Sequence, residues 1–142
     1  MSYLLDTNVI SEAVKPRPDP RVVEWLAAVD EDRVFLSVIS LAEIRRGIEL
    51  MAVGQRRDRL ETWLTEDLPT RFEGRILSID HGAADAWGVF MARARRAGVA
   101  LSTMDGLFAA SATVHALTLV TRNVRDFEAL GISLFNPWQD QE

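Results

Sequence analysis

Four carboxylates of this chain stand where strands are predicted to end or helices to begin: those of Asp6, Glu43, Asp105 and Asp126. Asp6 closes a short apolar run that predicts a buried strand. Glu43 and Asp105 lie near the starts of two predicted helices, and Asp126 follows the last but one predicted strand. Because the ligands of an open parallel sheet bind beyond the carboxyl ends of its strands, these acids can converge on one metal ion.

Each acid also has an ordinary structural interpretation, which the sequence leaves open. Glu43 and Asp105 each follow a serine by three residues, the spacing of a capping box in which the acid bonds back to the N-cap amide. Asp6 could cap a helix or form an Asx turn. Asp126 could be the N-cap of a short helix over the residues that follow it. For Asp80, which also ends a predicted strand, we expect N-capping alone.

The elements that must position these acids alternate regularly along the chain. Strands are predicted over residues 3–5, 34–38, 75–79, 117–120 and 132–135. Helical patterns lie between them, over residues 20–27, 40–54, 56–68, 82–97, 106–115 and 126–130. We expect Pro69 to end the third helix. Strands that alternate with helices predict an α/β fold, a mainly parallel five-stranded sheet covered on both faces in three α/β/α layers.

Length and composition indicate one globular domain over residues 1–142. The hydrophobic fraction is 48% and the mean hydropathy is +0.01, and no apolar run approaches the roughly 20 residues of a membrane span. The chain opens directly on a strand pattern without a signal peptide, so we expect a cytoplasmic protein with no membrane partner. The net charge of −5 argues against a general nucleic-acid binder, whose footprint is a basic face.

Several kinds of catalytic site are excluded by residue type. The chain has no cysteine, which removes disulfides, thiolate metal sites and cysteine nucleophiles. Its two histidines, His81 and His115, have no metal-ligand spacing, and no glycine-rich phosphate loop or Gly-x-Ser-x-Gly elbow is present. Crowded carboxylates need a cation to stay ionised, since like charges raise one another's pKa. Ligands that are all oxygen select a hard cation, Mg²⁺ or Mn²⁺.

The acids stand in blocks of sequence that, taken together and in order, resemble PIN-domain proteins of the VapC toxin type. The resemblance runs from Leu4 to Trp138, nearly the whole chain. The blocks are Leu4–Ser11, Ser40–Gly47, Asp105–Ala110, Thr121–Asn123 with Asp126-Phe127, and Asn136–Trp138. Any one of them would be weak evidence, but their combination is specific.

This resemblance implies a role for each site residue. Asp6 and Asp105 would be the primary metal ligands, with Glu43 a further acid of the metal site. From the chemistry of such a site we expect Glu43 to hold a water at the metal or to act as base. The last group of the site would come from the segment after the fourth strand. There Asn123 stands where some relatives have aspartate, so either Asp126 or the neutral Asn123 amide fills that place.

The function implied by the resemblance is that of an endoribonuclease toxin of a type II toxin–antitoxin pair. It would use Mg²⁺ or Mn²⁺ to hydrolyse RNA phosphodiester bonds. The protein would be a homodimer, held by a small VapB-type antitoxin that blocks the acidic cleft and provides the only link to promoter DNA. The alternative is a catalytically silent PIN module that serves as a binding partner or corepressor. A two-component receiver domain is weaker, since Lys15, the one lysine, cannot supply its lysine near the last strand.

Overall fold

The computed structural model describes residues 1–139 and contains one five-stranded sheet in which neighbouring strands are parallel. The strands are β1 (Tyr3–Leu5), β2 (Val34–Ser37), β3 (Ile76–Leu77), β4 (Thr118–Val120) and β5 (Leu134–Phe135). Their order is β3-β2-β1-β4-β5, so the chain winds outward from β1 in one direction and then in the other. The predicted α/β fold with a five-stranded sheet is confirmed. The predicted domain boundary at residue 142 lies outside the described residues.

Helices connect successive strands and cover the two faces of the sheet. They are α1 (Thr7–Glu12), α2 (Pro20–Ala28), α3 (Val38–Glu49), α4 (Gln55–Thr62), α5 (Leu68–Arg71), α6 (His81–Arg96), α7 (Thr103–Val114) and α8 (Val124–Phe127). Short 3₁₀ turns cover Glu31–Arg33 and Glu128–Leu130. Within residues 1–139, no helix is both long and apolar enough to cross a membrane.

Alternation along the strands builds a separate core on each face of the sheet. In β1, Leu4 packs with α6 and α7, while its neighbour Leu5 packs with α1 and α3 on the opposite face. The same alternation separates Leu119 from Val120 in β4. The central strand β1 is in register with both neighbours, and Leu4 pairs with Phe35 of β2 as well as with Leu119. With helices packed on both faces, the carboxyl ends of β1 and β4 lie side by side in the sheet. The strand order reverses between these two strands, so this place is the topological switch point of the sheet.

The prediction that Pro69 ends a helix is wrong. The helix that begins at α4 continues through a π-helical turn, Trp63–Asp67, into α5, and Pro69 lies in the first turn of α5. The backbone N–H of Leu68 donates to the Trp63 carbonyl, five residues back. Proline has no N–H for the carbonyl of Thr65 and its ring would clash there, so the wider turn lets the helix pass the proline instead of stopping.

Candidate active site

Asp6 occupies the single residue between β1 and α1. Its Oδ1 accepts a hydrogen bond from the Thr7 backbone N–H at 2.7 Å, which makes it the N-cap of α1. Its own backbone N–H donates to the Val120 carbonyl at the end of β4, at 2.9 Å. The capping interpretation of Asp6 is therefore correct, yet the cap uses one lone pair of a carboxylate that has several. The same residue remains able to bind a ligand at the switch point.

Thr121 holds the other oxygen of this carboxylate. This residue directly follows β4 and is fully buried. Its Oγ1 donates to Asp6 Oδ2 at 2.8 Å and accepts from the Asn123 backbone N–H at 3.0 Å. Sequence reasoning placed Thr121 in a family block but gave it no role. The sequence feature that could have indicated a role for Thr121 is its position: it is a hydroxyl residue directly after β4, the strand that neighbours β1.

Glu43 reaches the same place from α3, and the capping-box interpretation of it is wrong. The N-cap of α3 is Ser37, whose Oγ accepts from the Ile39 N–H at 3.0 Å, so Glu43 lies in the second helical turn. Thr7 Oγ1 donates to Glu43 Oε1 at 2.7 Å and lies 3.0 Å from Ser40 Oγ. The Thr7 hydroxyl thus ties the Glu43 carboxylate to the residue that follows Asp6.

Asp105 lies in the first turn of α7, whose N-cap is Ser102. The Ser102 Oγ accepts from the Asp105 backbone N–H at 3.1 Å. Partial burial is the main cause that raises the pKa of the Asp105 carboxyl above its usual range. The carboxylates of Asp126 and Glu43 also raise this pKa, while a hydrogen bond with the Ser102 side chain lowers it. A capping serine and a site acid therefore coexist in one helical turn.

Close packing between α6 and α7 fixes the turn that carries Asp105. A Cβ on Gly106 would lie 2.6 Å from Met91 Sδ and 3.0 Å from the Trp87 indole. The indole Nε1 in turn donates to the Thr103 carbonyl at 3.2 Å. Only glycine allows this approach without movement, so Gly106 sets the distance of α7 from α6 and with it the position of Asp105.

The carboxyl group of Asp6 is the most perturbed acid in the described residues. Its side chain is only 6% exposed, and burial raises its pKa from 3.8 to about 6. The hydrogen bonds from Thr121 and from the Thr7 N–H lower this pKa, while the carboxylates of Asp105 and Glu43 raise it further. Three of the predicted acids thus act on one another electrostatically, as expected for a cleft that receives positive charge.

Asp126 and Asn123 both lie at α8, and both are exposed. The predicted helix start at Asp126 is wrong, because Asn123 occupies the N-cap position and Asp126 lies in the first turn, its N–H bonded to the Asn123 carbonyl at 3.0 Å. The Asn123 side chain makes no capping hydrogen bond. Asp126 raises the pKa of Asp105, which places its charge at the rim of the acid cluster.

Asp80 lies apart from these residues and behaves as an ordinary cap. Its Oδ1 accepts from the Ala83 N–H at 3.0 Å at the start of α6, as expected from the sequence. His81 is exposed in the first turn of the same helix, and His115 is the C-cap of α7. Asp80 therefore offers a matched control for substitutions at the site acids.

The donor set fits a hard cation with few protein ligands. Among residues 1–139 no three or more histidine, cysteine or acidic side chains are grouped closely enough to hold a metal ion by themselves. Mg²⁺ keeps several waters and often uses only one or two carboxylates. Asp6 and Asp105 are the candidates for such a site, because burial and neighbouring negative charge raise the pKa of both carboxyl groups.

Comparison with known proteins gives the family. Residues 3–132 match the PIN domain. The chain is 39% identical to the toxin FitB of Neisseria gonorrhoeae, with 96% of this chain and 99% of FitB covered. It is 37% identical to the VapC ribonuclease Y4jK of Sinorhizobium fredii, over 96% and 97% of the two chains.

A solved structure agrees with these matches. In the structure of FitAB bound to an IR36 DNA fragment, one chain superposes with a TM-score of 0.93 at 36% identity, over 99% of this chain and 98% of that one. Both the sequence and the fold are thus shared over nearly the full length. This chain belongs to the PIN-domain family, among the VapC-type toxins of toxin–antitoxin systems.

Proposed function

We propose that this chain is the toxin of a toxin–antitoxin pair and acts as a metal-dependent endoribonuclease, as a single domain in the cytoplasm. The observation that carries the proposal is the buried Asp6 carboxyl, whose pKa of about 6 reflects burial and the nearby carboxylates of Asp105 and Glu43. Such a group is costly to a folded chain unless a ligand compensates for it. The relative Y4jK, described as a VapC ribonuclease, supports the reaction class.

The proposed cofactor is Mg²⁺ or Mn²⁺, held by Asp6 and Asp105. When bound, a divalent ion supplies Lewis-acid polarisation of the scissile phosphate and compensates its developing negative charge. The Thr121 hydroxyl and the Thr7 N–H orient the two Asp6 oxygens, at 2.8 and 2.7 Å, before any ligand arrives. Because the Asp6 carboxylate is already oriented, less conformational entropy is lost when the reactive geometry forms.

Glu43 is proposed to accept the proton of the attacking water. Its Oε1 is held by the Thr7 hydroxyl at 2.7 Å, which leaves Oε2 available to the cleft. At the opposite rim we assign the last role to Asp126 in preference to Asn123. Asp126 is the residue whose charge acts on Asp105. Asn123 contributes a backbone N–H to Thr121.

We propose a small antitoxin as the protein partner of a homodimeric toxin, with promoter DNA bound only through the antitoxin. The FitAB structure, solved bound to a DNA fragment, supports the part of this proposal that concerns a DNA-bound complex. A cleft lined by carboxylates is open to an arginine of the partner, whose guanidinium pairs with them bidentately and takes the place of the cation. Inhibition of this kind would require no change in the fold of the toxin.

Expression in a host cell tests the toxin proposal. The chain alone should arrest growth, and the small protein encoded beside it should restore growth and copurify with it. Asp6→Asn should abolish the arrest but keep copurification, while Asp80→Asn, at a cap outside the site, should leave the arrest intact. Growth arrest by the Asp6→Asn chain would show that toxicity is not nucleolytic and would favour the silent-module alternative.

A further inference from the structure

A groove of about 290 Å³ begins at the acid cluster and runs away from it between α1, α3 and α4. One end is lined by Thr7 and Glu43, the two residues joined by the 2.7 Å hydrogen bond. Two larger cavities, of about 580 and 670 Å³, are lined by none of the site acids. Glu43 is the one site acid that lines the groove, so the groove opens beside the proposed proton acceptor.

The walls of the groove are mainly apolar. Its volume is near the lower limit of about 300 Å³ for small-molecule pockets, which suits one flat ring system rather than a larger ligand. Trp63, which is partly buried against the core, lines the groove at the start of the π-helical turn. Turns of this kind are frequent at functional sites. The apolar side chains are those of Val14, Ile44, Ile48, Met51, Leu60 and Trp63.

Cations also line the groove, and one of them, Lys15, pairs with Glu12 at 3.0 Å. Arg56 lines the groove and also an adjoining cavity of about 250 Å³, where Arg59 joins Trp63. Neither arginine has a salt-bridge partner among residues 1–139, and both are exposed. Arg57 between them is different, because it pairs with Glu49 at 3.1 Å. In a chain of net charge −5, two such cations beside a groove form a local site for negative charge.

We infer that this groove is a subsite for one base of single-stranded RNA, the base next to the bond that is cut, and that Arg56 and Arg59 contact the phosphates beyond it. This inference rests on the proposed ribonuclease function. Apolar and aromatic walls that bind a base, followed by cations that bind the backbone, form the general pattern of single-strand recognition. The order acid cluster, apolar groove, arginines matches the order scissile phosphate, base, next phosphates.

Gly47 allows the groove to be filled without disturbing the core. It lies on the groove wall one helical turn after Glu43, and a Cβ added there meets no atom within 4 Å. Gly47→Phe should therefore place its ring in the groove while the helix persists. Gly88→Phe is the matched control, since Gly88 is also exposed inside a helix and its added Cβ also meets nothing within 4 Å.

The test uses a short single-stranded RNA that the wild-type chain cuts at one mapped bond, and copies of it with an abasic residue on either side of that bond. Loss of the bound base should lower wild-type kcat/KM by roughly tenfold or more. Gly47→Phe should lower kcat/KM on intact RNA to a similar extent, but cut intact and abasic RNA equally well. Gly88→Phe should retain the wild-type preference for the intact RNA.

Other outcomes separate the two proposals. If Gly47→Phe loses activity equally on intact and abasic RNA, it disturbs Glu43 and the base subsite is refuted, while the ribonuclease function stands. If Gly47→Phe cuts like wild type but no longer binds the antitoxin, the groove belongs to the protein partner and the inference is wrong. If the wild-type chain cuts no RNA with Mn²⁺, the proposed function fails, and the subsite fails with it.

Discussion

Replacement of Asp6 by asparagine should stabilise the metal-free protein even though it removes the central residue of the proposed site. The Asp6 carboxyl is 6% exposed, and burial, together with the charges of Asp105 and Glu43, raises its pKa from 3.8 to about 6. At about 1.4 kcal/mol per pKa unit, ionisation of this group in the folded chain costs about 3 kcal/mol. Asparagine cannot ionise and therefore avoids that cost.

Because the pKa of Asp6 is raised in the folded chain, the stability difference between Asp6→Asn and wild type depends on pH. At pH values well below 3.8 the Asp6 carboxyl is protonated in both the folded and the unfolded chain, so its raised pKa has no effect on stability. Between 3.8 and about 6 the folded chain binds more protons than the unfolded chain, so wild-type stability falls as pH rises. Above about 6 the full cost applies. The advantage of Asp6→Asn should thus grow from near zero to about 2–3 kcal/mol at neutral pH.

Urea unfolding in EDTA, followed by circular dichroism across pH 4 to 7.5, measures this difference directly. Asp80→Asn should differ from wild type by no more than about 0.5 kcal/mol throughout, because asparagine caps a helix as well as aspartate does. Addition of Mn²⁺ at neutral pH should then stabilise the wild type but not Asp6→Asn. A difference between Asp6→Asn and wild type that does not change with pH would refute the claim that Asp6 is a destabilised carboxylate.

Five further substitutions, in three experiments, test the rest of the site. Asp126→Ala should lower RNA cleavage more than Asn123→Ala does, and the reverse order would assign the last role in the site to Asn123. Asn123→Asp should keep activity and tighten Mn²⁺ binding, as measured by calorimetry. Gly106→Ala should lower the free energy of unfolding by about 1–3 kcal/mol, because its methyl group meets the methionine and tryptophan of α6, and should lower cleavage through Asp105; wild-type values for both would contradict the packing argument. Thr121→Val removes the 2.8 Å hydrogen bond to Asp6 and should raise the Asp6 pKa further. Mn²⁺ binding should then begin at a higher pH than in wild type, which calorimetry at several pH values would detect.

The sequence predicts the sheet and the placement of the acids because both depend on local patterns. Apolar runs that alternate with helical periods define the three layers. An acid that follows a strand must then lie at the carboxyl edge of the sheet, which locates Asp6 near the β1–β4 switch point. Asp105 comes from the first turn of α7, as its helical pattern indicates, whereas Asp126 lies in the first turn of α8 and not at the predicted helix start.

The roles of single residues were harder to predict, because capping and catalysis use the same side chains. Asp6 is the N-cap of α1 and also carries the most perturbed carboxyl group, so its capping role does not exclude the proposed role in the site. Glu43 looked like part of a capping box because its helix was expected to begin near Ser40, whereas β2 gives way to α3 at Ser37. The hydrogen bonds of Thr7 and Thr121 join residues 36 and 115 positions apart, and no local pattern reports them.

The most direct test of the central claim is cleavage of RNA by the purified chain with Mn²⁺ and with EDTA. The chain should cut single-stranded RNA with Mn²⁺ and stop when EDTA is added. Since a bound cation supplies several kcal/mol of transition-state stabilisation, Asp6→Asn and Asp105→Asn should each lower the rate at least about a hundredfold. Asp80→Asn, purified in the same way, should cut at the wild-type rate. Cleavage that persists in EDTA, or that survives either site substitution, would contradict the assignment of Asp6 and Asp105 as the residues that hold the metal.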